Sequence, residues 1–477
     1  LALVTGLMVT AVFMRREQRS KGTLRIGIPA HWGVLAPPLQ NSVYGGVVLP
    51  NQFETLIRRG ANGLIEPLAA ASWTVSPDHR VVRFTIDAKR RFSDGSPLTA
   101  ADFKRSWEDG LRMRARSKNR SVEDALYSLK GFDAFAKKGT IDGIRVHGDR
   151  VLELVFTEPA RVPLGYLSGV RYAAYKMVDG RAIGTGPYVM EERGKTLLLT
   201  PNSQYAGGKP SFPSIKIIEV PTEAVPKALD TGAIDGSLFV EKADMPGCDA
   251  ASGRIRCVYS QESDHVTIKV NGLPGRLFAK AQYRLALQAL VLDKLAAAGP
   301  SPGLHSSHFT ADPQSFLRFQ PGRLPDVEAR KLVEAGRRYI PSLVAASRRR
   351  PVYVVYGSGW DWLLVLLREA GVAVSEKSGS RPFAEVLEMI YTTHEADLIP
   401  GTYSVYNGDP DGLYHLLGRR GAIFSTMMDR PGVAALMESG RRITDRGRLP
   451  AHYEKANRKI LKEVPYVHLG YDCRAVA

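Results

Sequence analysis

The chain changes its hydrophobic period near Asn271, and no other feature restricts its fold as much. Before that point the segments 24–28, 81–87, 151–156 and 215–220 have the length and apolar spacing of short strands with a buried face. Residues 92–97 contain the turn pair Asp94-Gly95, and Thr99 with Asp102 makes a capping-box-like start for a helix predicted to run through Trp107 to about Leu111. Residues 51–57 read as helical, and Pro226 and Gly232 bracket a further helix through Leu229. Past Asn271, helix and strand alternate. A mostly apolar helix is predicted over 283–297, and another over 326–335 repeats Val327, Leu332 and Val333 before Gly336, read as its stop. Residues 352–356 form a continuous apolar strand, followed by the turn Gly357-Ser358-Gly359 and a helix from Asp361 through Leu367 to Gly371. A final helix at about 452–462 precedes a strand at 464–467. This order gives an α/β class.

At 477 residues the chain is long enough for several cores, and 44% apolar with 24% charged residues excludes a disordered, collagenous or polytopic membrane chain. Lys and Arg number 65 against 48 Asp and Glu, a formal charge of +17 that favours anionic partners without naming one. The densest basic set, Arg112, Arg114, Arg116, Lys118 and Arg120, lacks interleaved aromatics, so nucleic-acid binding is not expected. Residues 1–14 carry no charge and run into Arg15, Arg16, Arg19 and Lys21, so 1–21 is read as a signal peptide or an N-terminal membrane anchor. Cys248 and Cys257 are close enough to bridge one loop, with Cys473 left over.

A search for catalytic groups yields none. Gly184-Thr185-Gly186 lacks the Gly-Lys-Ser/Thr ending of a phosphate loop. Ser263-Asp264-His265 has the residue types of a triad, but neighbours on an extended strand point to opposite faces. His305 and His308 have no third ligand at metal-site spacing. The expectation is a non-enzyme with no catalytic residue, metal or cofactor.

A longer, distributed pattern is more informative. Residues 51–56 (NQFETL), 63–69 (GLIEPLA), Ala71-Ser72-Trp73, Ser76-Pro77-Asp78, Phe84 and 92–102 (FSDGSPLTAAD) come first. They are followed in order by 154–159, Gly184-Thr185-Gly186-Pro187-Tyr188, 229–235 (LDTGAID), Asn271, Arg284-Leu285-Ala286-Leu287, 326–336 and Glu463-Val464-Pro465. Over about residues 22–470 this resembles the extracellular solute-binding proteins, family 5, that serve oligopeptide, dipeptide and nickel ABC importers. The resemblance implies a two-lobed periplasmic binding protein fold, type II-like, with an extra subdomain inserted in the first lobe. The first-lobe core would be 22–49, 181–271 and 456–477, the inserted subdomain 50–180, and the second lobe 272–455. It further implies a monomer that encloses a peptide-like or other small solute between closing lobes, with an ABC permease in the inner membrane as partner. The location implied is periplasmic or extracytoplasmic, with 1–21 as a candidate tether to the inner membrane. The alternative is a membrane-anchored or free sensor or peptide-handling protein that has lost transport, because no lipid-bearing cysteine follows the apolar start.

Ligand-binding candidates come from loops at expected lobe edges: Trp32 and Tyr44 after the opening strand, Tyr356 and Trp360 around the glycine turn, and Tyr403, Val405, Tyr406, Asn407 and Asp409 in a polar, aromatic loop. For each aromatic, core packing stands as an equal alternative. The resemblance also implies an aspartate just before the Tyr-Asn pair, whose carboxylate holds a peptide's α-ammonium. That position here is Val405, with Asp409 or Asp411 as substitutes if Gly408 is an insertion. The expected ligand therefore lacks a free N-terminal amine, being blocked, modified or anionic. In exported protein Cys248 and Cys257 are expected to be bonded across residues 249–256. Peptide mapping without reduction checks this, and a free Cys257 thiol removes the bridge.

Overall fold

The computed structural model describes residues 22–476 apart from 30, 41, 61–63, 117–124, 160–162, 241–257, 260–263, 299–306, 310–322, 358, 405–416, 419–426, 429–430 and 473–474. The chain divides into two compact units, residues 1–260 with 474–477 and residues 261–473.

In the first unit the strand Leu24–Ile28 pairs in parallel with Ile215–Glu219 on one side and Gly236–Val240 on the other. Antiparallel strands Thr196–Pro201 and Tyr188–Arg193 extend the sheet in one direction, and Ala475–Val476 and Val258–Tyr259 extend it in the other. Ile26, Ile28, Leu197, Leu199, Ile217 and Leu238 form one apolar cluster. A second sheet is wholly antiparallel, in the order Ala70–Val75, Val81–Ile86, Val151–Val155, Ile144–His147. On Val81–Ile86 the side chains of Val82, Phe84 and Ile86 point inward and Arg83 outward, as a two-residue period requires. Helix Ala100–Arg116 brings Phe103, Trp107 and Leu111, spaced four apart, to the same cluster. Asp102 accepts from the Thr99 N–H at 2.8 Å and from its hydroxyl at 2.7 Å. The helix runs past Leu111 because buried Arg114 donates to Pro38 O at 3.2 Å and holds the last turn down.

The helix expected over 51–57 does not form. Only Leu49–Asn51 turns, as a short 3₁₀ segment, and a strand begins at Ile57. The polar side chains between them bond elsewhere in the unit. Gln52 Nε2 donates to Ala182 O at 2.7 Å, while the Glu54 carboxylate accepts from Arg90 at 2.6 Å and from the Thr185 hydroxyl at 2.9 Å. Gly184 and Gly186 lie against Gln52: a Cβ on Gly184 would collide with Gln52 O, and one on Gly186 would sit 2.7 Å from Gln52 C.

The second unit is built on an antiparallel sheet in the order Ser307–Phe309, Tyr466–Asp472, Asp264–Val270, Leu398–Ser404. Val266, Ile268, Val270, Val467 and Leu469 share one core with Ala286, Leu287, Leu290 and Val291 of helix Ala281–Ala298. Helices Asp326–Arg337, Ile340–Arg349 and Asp361–Glu369 complete it, and Gly371, at φ 80°, ends the last of these as expected. Gly336 does not stop its helix. It lies inside it, where a Cβ would collide with Leu285 O, so glycine serves close helix packing there. Residues 261–271 and 456–473, assigned from sequence to the first lobe, belong to the second unit, because Asp264–Val270 and Tyr466–Asp472 pair with each other and the former pairs with Leu398–Ser404.

Gly184→Ala is expected to lower the melting temperature by several degrees, an overpacking cost of about 1–3 kcal/mol. Calorimetry of this variant beside Gly22→Ala, where nothing lies within 4 Å of the added carbon, checks it. Equal melting temperatures would show that the passage tolerates a side chain.

Candidate functional site

The first two candidates sit in the loop after the opening strand. Ser42 caps helix Val43–Val48 by accepting from the Tyr44 N–H at 3.2 Å. A Cβ on Gly45 would lie 2.6 Å from Trp32 O, so glycine lets that helix approach the loop. Trp32 is fully buried in the apolar cluster of the larger sheet, its ring 4.6 Å from His31, and Tyr44 packs half-buried on the same cluster. The structure thus brings Trp32 and Tyr44 to one place and commits Trp32 to packing.

In the second unit Val355–Tyr356 pairs in parallel with Gly379–Ser380, and Gly359, at φ 78°, turns the chain into helix Asp361–Glu369. Tyr356 is buried, and its hydroxyl donates to Asp361 Oδ1 at 2.8 Å. Burial first, and then the Asp361 carboxylate, push its phenol up to about 12. This bond fastens the strand to the start of the helix. Trp360 is half-buried and stacks on Trp362 with ring centroids 5.7 Å apart. Tyr403 has its backbone in strand Leu398–Ser404, opposite His265. Val405, Tyr406, Asn407, Asp409, Cys248 and Cys257 lie outside the described residues.

Sequence reasoning missed a concentration of titratable groups on the central strand of the second unit. Since Val266, Ile268 and Val270 enter the core, His265, Thr267 and Lys269 occupy the other face. Register places His468 opposite Thr267 and Tyr466 opposite Lys269 on one neighbour, and Gly401 and Ile399 opposite the same two residues on the other. The His265 and His468 rings meet edge to face at 5.1 Å. None of His265, Thr267, Lys269, Tyr466 or His468 is more than 3% exposed. Burial lowers the His265 imidazole to about 3 and holds the Lys269 amine and the His468 imidazole well below their ordinary values. The interleaving of His, Thr and Lys with Val, Ile and Val was the available signal. Among the described residues no group of three His, Cys, Asp or Glu side chains could hold a metal ion.

Residues 65–297 match the model of the bacterial extracellular solute-binding proteins, family 5 Middle. The chain is similar to this family over that stretch, just under half of its length. The chain is 30% identical over 173 residues to the dipeptide-binding protein DppE of Bacillus subtilis, which covers 33% of this chain and 31% of the relative. It is 26% identical over 222 residues to the nickel-binding periplasmic protein of Escherichia coli, covering 44% of this chain and 40% of the relative. Less than half the length of either relative is spanned. Solved structures carry the likeness across the fold. The murein tripeptide binding protein MppA of Escherichia coli aligns with a TM-score of 0.76 at 18% identity, covering 95% of this chain and 93% of that one. AgaA from A. tumefaciens R10, in complex with agropinic acid, aligns with a TM-score of 0.77 at 20% identity and the same coverage. The fold is therefore the mixed α/β, two-lobed fold of periplasmic binding proteins. Family and fold are those of binding proteins, and the family is extracellular. Among the described residues no helix is long and apolar enough to cross a membrane.

His265 binds fewer protons folded than unfolded between about pH 3 and its ordinary 6.5, so its burial costs stability increasingly as pH falls through that window. His265→Leu is expected to change the melting temperature more favourably at pH 5 than at pH 8, read by paired thermal melts. An equal change at both would contradict a neutral, buried imidazole.

Proposed function

We propose that this protein is the solute-binding component of an ABC importer, a monomer that takes up a peptide-like or other small solute outside the cytoplasmic membrane and presents it to a permease. The family match over residues 65–297 carries this reading, and a fold shared with binding proteins over 95% of the chain supports it. No catalytic role, cofactor or nucleic acid enters it. Residues 1–21 serve as a leader or a tether, and residues 50–180 as a subdomain inserted in the first lobe. Trp32 and Tyr356 are buried, so Tyr44 and Trp360 are the described candidates with surface to offer a solute. Tyr403, Val405, Tyr406, Asn407 and Asp409 complete the proposed contacts from sequence. Structural relatives include a murein tripeptide binding protein, a protein in complex with agropinic acid and one in complex with the peptide STSA. Val405 provides no carboxylate for an α-ammonium, and an ammonium buried against it would be left desolvated. A solute without a free N-terminal amine follows.

Protein purified without refolding is expected to retain its solute as a mass increment in native mass spectrometry. Returning that solute to stripped protein is expected to reduce the radius of gyration and raise the melting temperature by mass action. Unchanged scattering with a bound ligand excludes lobe closure. In calorimetric titrations with matched free and N-acetylated peptides, the wild type is expected to be indifferent to acetylation and Val405→Asp to prefer the free amine. Tight wild-type binding that acetylation abolishes refutes the ligand chemistry.

A further inference from the structure

The antiparallel sheet Ala70–Val75, Val81–Ile86, Val151–Val155, Ile144–His147 packs one face on its apolar cluster and leaves the other open. Phe84, Leu152, Leu154 and Ile144 point inward, so Arg83, Glu153, Arg145 and His147 lie on the outer face. Register sets one row straight across all four strands: Thr74, Arg83, Glu153, Arg145. Arg83 donates from Nε to Glu153 Oε2 at 2.6 Å and Arg145 from Nη1 to Oε1 at 3.3 Å, while His147 Nε2 stands 3.7 Å from Oε1. Glu153 is 3% exposed, whereas the Arg83 and Arg145 side chains are 62% and 48% exposed. The carboxylate thus holds both guanidiniums from beneath, and the rest of each fork faces water. Burial pushes the Glu153 carboxyl up, and Arg83, Arg145 and His147 bring it below its ordinary range, so it stays ionised. Two guanidiniums against one carboxylate leave one net positive charge on the row, before any on His147.

We propose that this open face docks on an anionic lipid surface, with Arg83 and Arg145 as the headgroup-binding residues and Glu153 as the residue that positions them. Such docking goes beyond the solute-binding reading and does not depend on it. An open sheet face gives a small anion no enclosing walls, and the two arginines stand two strands apart, roughly 10 Å, so the occupant is extended and repeats its negative charge. The face offers no Phe, Tyr or Trp on which a nucleic-acid base could stack, because Trp73 lies on the inner side with its ring 6.4 Å from Phe84. Val81 and Val155, opposite each other and half-buried, flank the row with methyl groups, which suits the boundary between headgroups and acyl chains. Each guanidinium keeps donors for a phosphodiester oxygen, and the chain's charge of +17 draws it to the same surface.

The test is co-sedimentation of the full chain with vesicles of phosphatidylcholine, alone or mixed with an equal part of phosphatidylglycerol. Wild type is expected to bind the anionic vesicles, less so as salt is raised. Arg83→Gln with Arg145→Gln is expected to lower the partition by about twentyfold, at roughly fivefold per cation near an anionic surface. Arg348→Gln with Arg349→Gln removes the same charge from an exposed helix end in the second unit and is expected to change the partition far less. Glu153→Gln keeps both arginines and is expected to strengthen binding by about fivefold, a gain that does not depend on how well the double variant folds. Equal wild-type binding to both vesicles, an equal loss in the two double variants, or no gain in Glu153→Gln overturns the docking face. Binding of soluble polyglutamate with the same variant pattern assigns the face to an acidic polypeptide and overturns the lipid. All of these outcomes leave the solute-binding reading to be judged by the solute retained on native purification.

Discussion

The first unit is organised by the buried pair of Glu54 and Arg90. Their side chains meet at 2.6 Å, and Thr185 adds its hydroxyl at 2.9 Å on the other carboxylate oxygen. Arg90 also donates to Leu68 O at 2.9 Å and lies over the Tyr205 ring at 5.9 Å. Five stretches of chain thus converge on one carboxylate and its partner. Burial pushes the Glu54 carboxyl up, and the guanidinium and hydroxyl pull it back. Breaking such a pair from one side leaves a buried charge uncompensated, typically about 3–5 kcal/mol, whereas the intact pair is worth far less than that figure suggests. Its effect is to fix geometry, which is why residues 53–55 join neither a helix nor a strand and the glycines at 184 and 186 must pass so close.

The second unit solves a different problem. Its sheet has a dry apolar face against helix Ala281–Ala298 and a polar face that is also removed from water. A polar face without solvent costs free energy unless its groups are bonded or given a task. The same three-strand register that fills the core with Val266 and Ile268 forces Thr267 and Lys269 to the opposite side, so the two faces cannot be varied independently.

Local pattern was legible wherever the cause was local. Alternation at 24–28 and 81–86, the Asp94-Gly95 turn and the Thr99–Asp102 cap appear as expected, because each depends on residues within one turn or one strand. Failures came where distant chain decided the outcome. Gln52 and Glu54 are drawn out of a helix by Ala182 and Arg90, and Gly336 answers to Leu285 rather than to its own helix end. The unit boundary depends on strands separated by about two hundred residues, a pairing that no local pattern records. Candidate ligand residues were chosen as aromatics near turns, a rule that cannot tell an aromatic that packs from one that faces solvent, as Trp32 and Tyr356 show. The buried row was passed over because three polar residues alternating on a strand look like a solvated face until the fold covers them.

The short strand Ala475–Val476 returns to the first unit after the whole of the second and sits between Gly236–Val240 and Val258–Tyr259. Val258–Tyr259 has Ala475–Val476 as its neighbour in that sheet. A chain threaded from its N-terminal side across a membrane would therefore hold an unfinished sheet edge until residue 476 arrives. During that interval the exposed backbone of Gly236–Val240 is a handle for chaperones and a hazard for misjoined strands.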